Sequence, residues 1–534
     1  MATPVAVQGE KEEELLFAAV VRILSEDLYP RKLEIIREYI QNSSDAIDDW
    51  LAVADHIHDQ TDPQIKISIQ GRSLIIWDNG IGMSEEDIPK LKRIAYSEKR
   101  LGEEAGYKGI GKLAGVAVAE KLKITTTSYG DPRLWMFEFR AGDMWQDISE
   151  KKRQGIQEPA SPVIRRHTSI EYTDVDPNDH YTIVEIRNIK ESCSELLDAD
   201  QIAEYVGDVA PVAFDPLFEY AEFLNEGLFR SVPDYSPKKI LLSRPDGRKS
   251  QIFKPFNSQM MIAKPDFIQV KAPGGKGVLA VCWYTTNAQK MGDKVRPSGR
   301  IFSVAGDTVL RRRRFAGLAY KLFGFSIGDR SLPTRTLWTT AKARAEWFTG
   351  EIHIVDKGVL PLTDRSDFVD TEERARLYKQ SQEYIVEKLN DLAQLISDNR
   401  RAFHGAEEEL KRVRKLRHKL DDGGVQRSDV KVYKRQLEEG LQRLKNRKCN
   451  DLEIRKIQQD ALRELNELRA DIDDPKKQKR PLSIADLGSD LKMTTKAQRV
   501  FEIIMGTLQT HFDDDMDSYE EIAAKIHKAL KDKY

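Results

Sequence analysis

The stretch Arg37-Glu38-Tyr39-Ile40-Gln41-Asn42-Ser43-Ser44-Asp45-Ala46 constrains the fold more than any other part of this 534-residue chain. At roughly 100° per residue, a helix through it places Glu38, Asn42 and Asp45 within about 60° of one another. Its apolar residues fall on the opposite side: Leu33, Ile36, Ile40, Ile47 and Leu51. The stretch therefore predicts a helix with one buried face and one face of two acids and a carboxamide. By itself, this pattern is equally typical of a solvated helix face.

Two glycine-containing stretches follow this helix. Leu74 to Trp77 is typical of a buried strand, and Asp78-Asn79-Gly80-Ile81-Gly82-Met83 comes directly after it. Gly106 to Gly115 then precedes a predicted helix over Val116 to Leu122, and glycines before a helix N-terminus expose N–H groups that suit phosphate. Each stretch alone is also typical of a plain turn. Their joint occurrence in this order indicates a nucleotide site.

These three stretches resemble the motifs of the GHKL ATPases, the superfamily of DNA gyrase, the ninety-kilodalton heat-shock chaperone, histidine kinases and MutL, with the MORC proteins as further relatives. Arg37 to Ile47 is similar to the first motif, the Asp78 stretch to the second and Gly106 to Gly115 to the third. His180 to Ile186 resembles a fourth, although Tyr181 precedes Thr182 where relatives often have glycine. The resemblance implies a Bergerat fold, an α/β sandwich that binds ATP.

At the adenine end, the resemblance gives Asp78 the exocyclic amine of the base, because an ionised carboxylate accepts from an N–H donor. Gly80 belongs to the same binding turn, Gly82 would let the backbone approach the base, and Met83 would form an apolar wall. The hydroxyl of Thr182 would complete the adenine site through a shared water.

At the phosphate end, Asn42 would bind Mg²⁺ through its side-chain oxygen, since Mg²⁺ prefers oxygen ligands. Glu38, one turn earlier, would polarise the water that attacks the γ-phosphate of ATP, and Asp45 would support the base and its waters. A glutamate at this position favours hydrolysis over the phosphotransfer of histidine kinases. A lid is expected between the second and third motifs, and it starts with a predicted helix over Ser84 to Ala95. The lid and the phosphate turn contain the other expected ATP-binding residues: Ser97, Lys99, Lys108, Gly109, Ile110, Gly111, Lys112 and Leu113.

Composition is typical of a large cytoplasmic protein. The net charge of −2 excludes a polycation, so any nucleic-acid contact needs a local basic patch. The cysteines Cys193, Cys282 and Cys449 stand far apart without metal-ligand spacing, which fits a reducing compartment. No apolar run is long enough for a membrane helix, and the N-terminus lacks the layout of a signal peptide.

The chain is predicted to form four parts: an ATPase domain over 1–235, a transducer-like α/β domain over 236–370, an antiparallel coiled-coil hairpin over 371–475 and a helical segment over 476–534. Lys11 to Leu28 is predicted as a helix, either a strap to a partner subunit or a simple packing helix, and Trp145 to Arg166 as a surface loop or hairpin. Gly350 to Phe368 resembles the closing strand and helix entry of the MutL and MORC transducer. There a lysine commonly reaches the γ-phosphate, and Lys290 and Lys294 are the candidates.

The C-terminal third is predicted as two long helices, Thr371 to Leu420 and Ser428 to Ala470, whose leucines follow near-heptad spacing. Its positive charge near the hairpin tip is also typical of a solvated coiled coil. Beyond it, the apolar stripe of Val500, Ile503, Ile504 and Leu508 needs a partner, either the hairpin or a second copy.

Together these features predict a homodimeric switch or clamp in which ATP and Mg²⁺ close the N-terminal domains. We expect it to act on DNA, in bacterial defence or genome maintenance, through the coiled-coil tip or through Arg311, Arg312, Arg313 and Arg314. That arginine run is also compatible with contacts to another subunit or with solvent. A protein partner on the coiled-coil arm, a protein-remodelling chaperone and a non-hydrolysing ATP-binding scaffold are the alternatives.

Overall fold

The computed structural model describes residues 31–57, 62–92, 111–156, 158, 160–258, 260, 262–286, 288–291, 294–297, 315–362, 364–421, 427–449, 451–474, 491, 493–512 and 516–531. The chain divides into two compact units, one up to Asn390 and one from Asp391. The predicted N-terminal helix and the run Arg311 to Arg314 lie outside the described residues.

An eight-stranded mixed sheet forms the base of the first unit, in the order β5-β4-β3-β6-β2-β1-β7-β8. Strands β1 and β7 pair in parallel, and the other neighbours are antiparallel. The strands are β1 (Ile65–Gln70), β2 (Ser73–Asp78), β3 (Ala119–Thr127), β4 (Arg133–Arg140), β5 (Thr168–Asp174), β6 (Tyr181–Ile189), β7 (Ile240–Ser243) and β8 (Lys249–Ile252).

Helix α1 (Glu34–Ile57) packs against this sheet and buries the apolar face that the sequence predicts. Ile36, Ile40 and Ile47 are buried in the same core as Ile67 and Ile76 of the first two strands. The other helices of this part are α2 (Ala141–Arg153), α3 (Ala160–Arg166), α4 (Ala199–Val209) and α5 (Ala221–Ser231). The predicted α/β layout of the N-terminal part is therefore confirmed.

A second sheet of five strands, in the order β14-β13-β15-β10-β9, completes the first unit. Its strands are β9 (Asp266–Lys271), β10 (Val278–Thr286), β13 (Gly317–Leu322), β14 (Phe325–Ile327) and β15 (Phe348–Ile354), and a separate hairpin contains β11 (Ala288–Met291) and β12 (Lys294–Pro297). Helices α6 (Ser331–Leu337) and α7 (Glu372–Ser381) accompany it. A second α/β part is thus also confirmed.

The first sheet continues past residue 235, the predicted end of the ATPase domain. Strands β7 and β8 join it through the parallel pairing of Ile65 to Ser68 with Ile240 to Ser243. Strands β7 and β8, which lie inside the range predicted for the transducer-like domain, therefore belong to the first sheet, because the chain returns to the edge of that sheet before it enters the second. The division of the chain into four domains stays a prediction.

Three local predictions were wrong. The described part of the lid helix predicted from Ser84 to Ala95 is a turn and a short 3₁₀ helix over Ile88–Lys92, and Pro89 inside it lacks the N–H that a longer α-helix needs. Arg93 to Ala95 lie outside the described residues. The helix predicted over Val116 to Leu122 is a 3₁₀ helix over Gly111–Ala117 followed at once by β3. The predicted surface loop or hairpin over Trp145 to Arg166 is helical in α2 and α3, where Asp147 accepts from Arg166 and His167.

The second unit is helical. Its long helices are α8 (Glu387–Asp421), α9 (Arg427–Lys445) and α10 (Leu452–Asp473), which share one core of residues such as Val413, Leu441 and Leu465. The second predicted long helix is therefore two helices. The chain leaves α9 at Lys445, and the polar stretch Asn446 to Asn450 carries no leucine to continue the stripe.

Two shorter helices end the described chain, α11 (Thr495–His511) and α12 (Met516–Lys531), with a core that contains Phe501, Met505 and Tyr519. Val500, Ile503 and Ile504 on α11 remain exposed, whereas Leu508 packs against this core. None of the described helices has the length and apolar character that crossing a bilayer requires.

Candidate functional site

The polar face of α1 carries the predicted phosphate-end residues. Glu38, Asn42 and Asp45 are all half-buried, while their neighbours Tyr39, Ile40 and Ile47 are buried in the core. Asp45 lines a cavity of about 480 Å³ that α1 shares with the second sheet. The helix therefore presents these polar groups at its surface on a rigid, well-packed element.

Asp78 ends β2 and is almost fully buried, with 3% of its surface exposed. Its Oδ2 accepts from the hydroxyl of Ser43 at 2.7 Å, and its Oδ1 accepts from the backbone N–H of Gly80 at 3.0 Å. Burial raises the pKa of the Asp78 carboxyl to about 6, and these two hydrogen bonds oppose the rise only in part. Above that pH, Asp78 is a fixed anionic acceptor without a neighbouring cation among its hydrogen-bond partners.

The turn after Asp78 packs closely on its surroundings. The N–H of Ile81 donates to the carbonyl of Ala46 on α1 at 2.9 Å, and a Cβ on Gly80 would lie 2.6 Å from Ala46. Gly82 has a φ of +74°, and a Cβ there would lie 1.9 Å from the carbonyl oxygen of Thr127. Glycine is thus needed at both positions. At Gly80 the reason is the close approach to Ala46, and at Gly82 it is both the close approach to Thr127 and the positive φ.

A pair of threonines holds the far end of this turn. The N–H of Met83 donates to the Thr126 hydroxyl at 3.0 Å, and that hydroxyl lies 3.0 Å from the hydroxyl of Thr182. Thr182 stands opposite Asp78 in the β2–β6 pairing and opposite Thr126 in the β3–β6 pairing. The structure therefore brings Asp78, Gly80, Gly82, Met83 and Thr182 together at one end of the sheet.

The phosphate turn is described only from Gly111 onwards. Gly111 and Lys112 begin the 3₁₀ helix, Leu113 is buried in the core, and the N–H of Gly115 donates to the hydroxyl of Tyr39 at 2.8 Å. This contact ties the end of the phosphate turn to α1, next to Glu38. Ser97, Lys99, Lys108, Gly109 and Ile110 lie outside the described residues, as does the side chain of Lys112.

Arg365, from the segment that follows the second sheet, reaches Glu38. Its Nε lies 4.0 Å from Oε1 of Glu38, and Nη2 of Arg37 lies 3.6 Å from the same oxygen. Arg365 is 6% exposed and has a φ of +57°, a conformation that costs free energy for a residue with a side chain. The N–H of Gly328 donates to the Arg365 carbonyl at 2.7 Å, which fixes this arginine to the second sheet.

The candidate γ-phosphate lysines lie elsewhere in the second part. The structure places Lys290 and Lys294 on β11 and β12, where they pair with Val295 and Met291, and their side chains are outside what it describes. The cation that meets Glu38 among the described residues of the second part is Arg365. Sequence reasoning placed Arg365 in that domain without giving it a role.

The residues of α1 fit a magnesium ion held mainly by a nucleotide. Within the described ranges, no group of three or more His, Cys, Asp or Glu side chains is arranged to hold a metal. Asn42 offers one half-buried carboxamide oxygen on the face of Glu38. One protein oxygen, completed by phosphate oxygens and waters, is a normal environment for Mg²⁺.

Comparison with known proteins agrees with this geometry. The family model for histidine kinase-, DNA gyrase B- and HSP90-like ATPases matches residues 33–182. The chaperone protein HtpG of Sulfurovum sp. is 28% identical over 223 residues, which cover 38% of this chain and 32% of that protein. HtpG of Nitrosomonas eutropha is 33% identical over 145 residues, 23% of either chain.

A mitochondrial relative matches a shorter stretch. The TNF receptor-associated protein 1 homolog of Dictyostelium discoideum is 38% identical over 128 residues, 20% of this chain and 18% of that protein. The chain thus spans about a third or less of the length of these curated relatives. The matched segment contains Glu38, Asn42, Asp78 and Thr182, and this segment is a GHKL-type ATPase domain.

Proposed function

We propose that this protein is an ATP-driven molecular switch that hydrolyses the β–γ phosphate bond of ATP. The contact of Glu38 with Arg365 carries this proposal. It joins the acid that would activate water to a cation in the segment that follows the second sheet. The arrangement of the second part can therefore depend on what occupies the phosphate end of the site.

Binding begins at the adenine end. Asp78 accepts the exocyclic N–H of the base, Gly80 and Gly82 allow the backbone to approach it, and Met83 packs against it. Thr182 and Thr126 hold the turn through the Met83 N–H. Because Asp78 and its donors are buried and fixed before ATP arrives, little ordering is needed on binding.

At the phosphate end, Asn42 would hold Mg²⁺, which neutralises phosphate charge when bound. Glu38 orients and polarises the attacking water. Arg37 and Arg365 lie beside its carboxylate and restrict its position. Arg365 is also close enough to Glu38 to meet the γ-phosphate, the role first considered for Lys290 and Lys294. The lid and phosphate-turn residues would enclose the phosphates, and Asp45 would order waters; the lid and phosphate-turn residues are Ser97, Lys99, Lys108, Gly109, Ile110, Gly111, Lys112 and Leu113.

We further propose that ATP brings two N-terminal domains together in a homodimer and that α11 helps to join the two copies. The exposed apolar residues Val500, Ile503 and Ile504 on α11 support a contact of this kind. ATP favours closure only by binding the closed state more tightly than the open one. The free thiols of Cys193, Cys282 and Cys449 support a cytoplasmic site of action.

Replacement of Glu38 tests the switch. Glu38→Ala should keep ATP binding but lower turnover by at least about 100-fold, because a general base contributes roughly 10²–10⁴ to the rate. The matched control is Glu34→Gln, one helical turn earlier, which should turn over ATP normally. Light scattering and an N-terminal cross-link, each with and without Mg²⁺-ATP, report closure. A Glu38→Ala protein that binds ATP without a change in mass or cross-link would contradict the clamp.

Two kinds of partner for the helical unit follow from separate observations. Lys411, Arg414, Lys415 and Lys419 are exposed on α8, and none of them forms an ion pair within the described part of the chain. This surface supports binding to the phosphates of DNA. The names of the HtpG relatives support a chaperone instead.

The partners are distinguished by one variant. Lys411→Glu combined with Lys415→Glu should abolish a salt-dependent shift of duplex DNA if DNA is the partner, whereas Lys456→Glu combined with Lys528→Glu, elsewhere in the helical unit, should not. If wild-type protein shifts no DNA at low salt but suppresses aggregation of an unfolded protein in an ATP-dependent way, the chaperone function replaces the DNA clamp.

A further inference from the structure

Two residues at the start of β6, His180 just before the strand and Thr182 inside it, hold the two ends of the turn from Gly80 to Met83. Near one end, Nδ1 of His180 lies 2.9 Å from the carbonyl oxygen of Gly80. Near the other, Thr182 contacts Thr126, whose hydroxyl accepts from the N–H of Met83. Because Gly80 offers a carbonyl oxygen, Nδ1 of His180 must be the donor in the first contact.

The His180 ring is itself fixed in place. It stacks on Trp50 of α1 with 3.6 Å between ring centroids and an interplanar angle of 25°. Trp50 is fully buried, and Tyr129 packs on it at a centroid distance of 5.7 Å. An imidazole held by a buried indole has little rotational freedom, so its hydrogen bond to Gly80 has a fixed direction.

The peptide groups around Gly80 are held on three sides. The Gly80 N–H donates to Asp78, the Gly80 carbonyl accepts from His180, and the following N–H, of Ile81, donates to Ala46. The contact with His180 is the one among these three that comes from a side-chain donor. Its removal would free the Gly80 carbonyl and loosen the turn on which the Asp78 carboxylate depends for one hydrogen bond.

We propose that His180 is a positioning residue for the nucleotide: it holds the Gly80 carbonyl and so sets the affinity for the adenine end of ATP. This inference rests on the proposed ATP site. His180 acts through the turn at the adenine end, whereas Glu38 and Arg365 lie at the phosphate end of the proposed site. Its loss therefore weakens binding without slowing hydrolysis of bound ATP.

The test is a comparison of Kd and kcat. His180→Ala should raise the Kd for ATP about tenfold, since one hydrogen bond and its ordering are lost, while kcat at saturating ATP stays within about twofold. His180→Gln keeps a side-chain N–H donor and should bring Kd to within about threefold of the wild-type value. Tyr129→Ala removes another ring from the same tryptophan but keeps the hydrogen bond of His180 to Gly80, so this matched control should leave Kd unchanged.

Three results would overturn the role of His180: an unchanged Kd in His180→Ala, equal losses in Kd and kcat, or an equal rise in Kd in Tyr129→Ala. If His180→Ala does not fold, His180→Gln decides the question, and a tenfold rise in its Kd rejects the rescue on which the role depends. A wild-type protein that binds no ATP rejects the proposed function itself, and that failure is separate from the other three.

Discussion

Among the described strands, the eight-stranded sheet and the five-stranded sheet each bury one carboxylate, and the two carboxylates have opposite kinds of partner. Asp78 ends a strand of the first sheet and Glu351 lies in β15 of the second, with exposures of 3% and 2%. The partners of Asp78 are a hydroxyl and a backbone N–H. Glu351 instead accepts from Lys254 at 2.6 Å, lies 3.6 Å from Lys321 and accepts from the Trp283 indole at 3.0 Å.

The difference is visible in the two pKa values. Burial raises the pKa of Asp78 to about 6 because no fixed cation compensates for the lost water. Burial would also raise the pKa of Glu351, but the charges of Lys254 and Lys321 outweigh it and hold that pKa well below its usual range. Glu351 has its charge neutralised within the fold, whereas Asp78 keeps accepting capacity for a ligand. Burial alone thus does not distinguish a structural acid from a ligand-binding acid. The charge of the hydrogen-bond partners does.

The largest effect is expected from the second sheet. Glu351→Gln removes the carboxylate that the buried Lys254 and Lys321 share, and the loss of one member of such a cluster costs about 3–5 kcal/mol in the free energy of unfolding. Denaturant titration of the purified protein measures this. Glu226→Gln removes the exposed partner of Arg230 and should leave the unfolding midpoint unchanged. Equal midpoints for the two variants would mean that Glu351 is not structural.

A smaller effect on stability, but a large one on binding, is expected at Asp78. Asp78→Asn should weaken ATP about 100-fold, since the amide cannot serve as the anionic acceptor for the base N–H. The free energy of unfolding should change by less than about 1 kcal/mol, because an amide still accepts one of the two hydrogen bonds. Calorimetric titration with ATP and denaturant unfolding measure the two quantities. If Asp78→Asn lowers the free energy of unfolding as much as Glu351→Gln does, Asp78 is a structural acid like Glu351.

The smallest effect is a pH dependence of binding. Asp78 must be ionised to accept from adenine, so ATP affinity should fall about tenfold for each pH unit below about 6. The contribution of Asp78 to stability runs the other way. Its folded pKa lies above the ordinary 3.8, so that contribution is full below about pH 4 and is lost as the pH rises through about 6.

Ser43→Ala provides the control for this pH dependence. The Ser43 hydroxyl lowers the pKa of Asp78, so its removal should move the fall in affinity to higher pH, which the titration of ATP itself cannot do. A fall at the same pH in both proteins would assign the dependence to the nucleotide.

The elements that carry both ends of the site were predictable because each is encoded in a short stretch of sequence. The helix pattern around Glu38 and Asn42 and the strand before Asp78 each depend on a few neighbours in the chain, and the structure has both. Thr126 was missed because a threonine inside an apolar strand gives no signal of its own. The pairing of β3 with β6 turns it into a partner of Thr182.

Other features depend on contacts that no local pattern encodes. Arg37 donates to the carbonyl of Asp364 across 327 positions, and Arg365 beside it reaches Glu38 in the same way. The break between α9 and α10 was missed because heptad leucines on both sides favoured one continuous helix. The helix α2 was missed because Ala141 and Met144 are its buried residues and form only a short apolar stripe.

Helix α1 has a consequence for the size of what can bind. Tyr39 accepts from Gly115 at the end of the phosphate turn, and Ala46 accepts from Ile81 in the adenine turn. Seven residues separate the two contacts, which at 1.5 Å per residue is about 10 Å along the axis. The helix therefore fixes the distance between the turn expected to bind the base and the turn expected to bind the phosphates. One inserted residue between Tyr39 and Ala46 would lengthen this helix segment by about 1.5 Å and rotate its far end by about 100°. The distance between the two contacts therefore tolerates substitutions in the segment but not insertions.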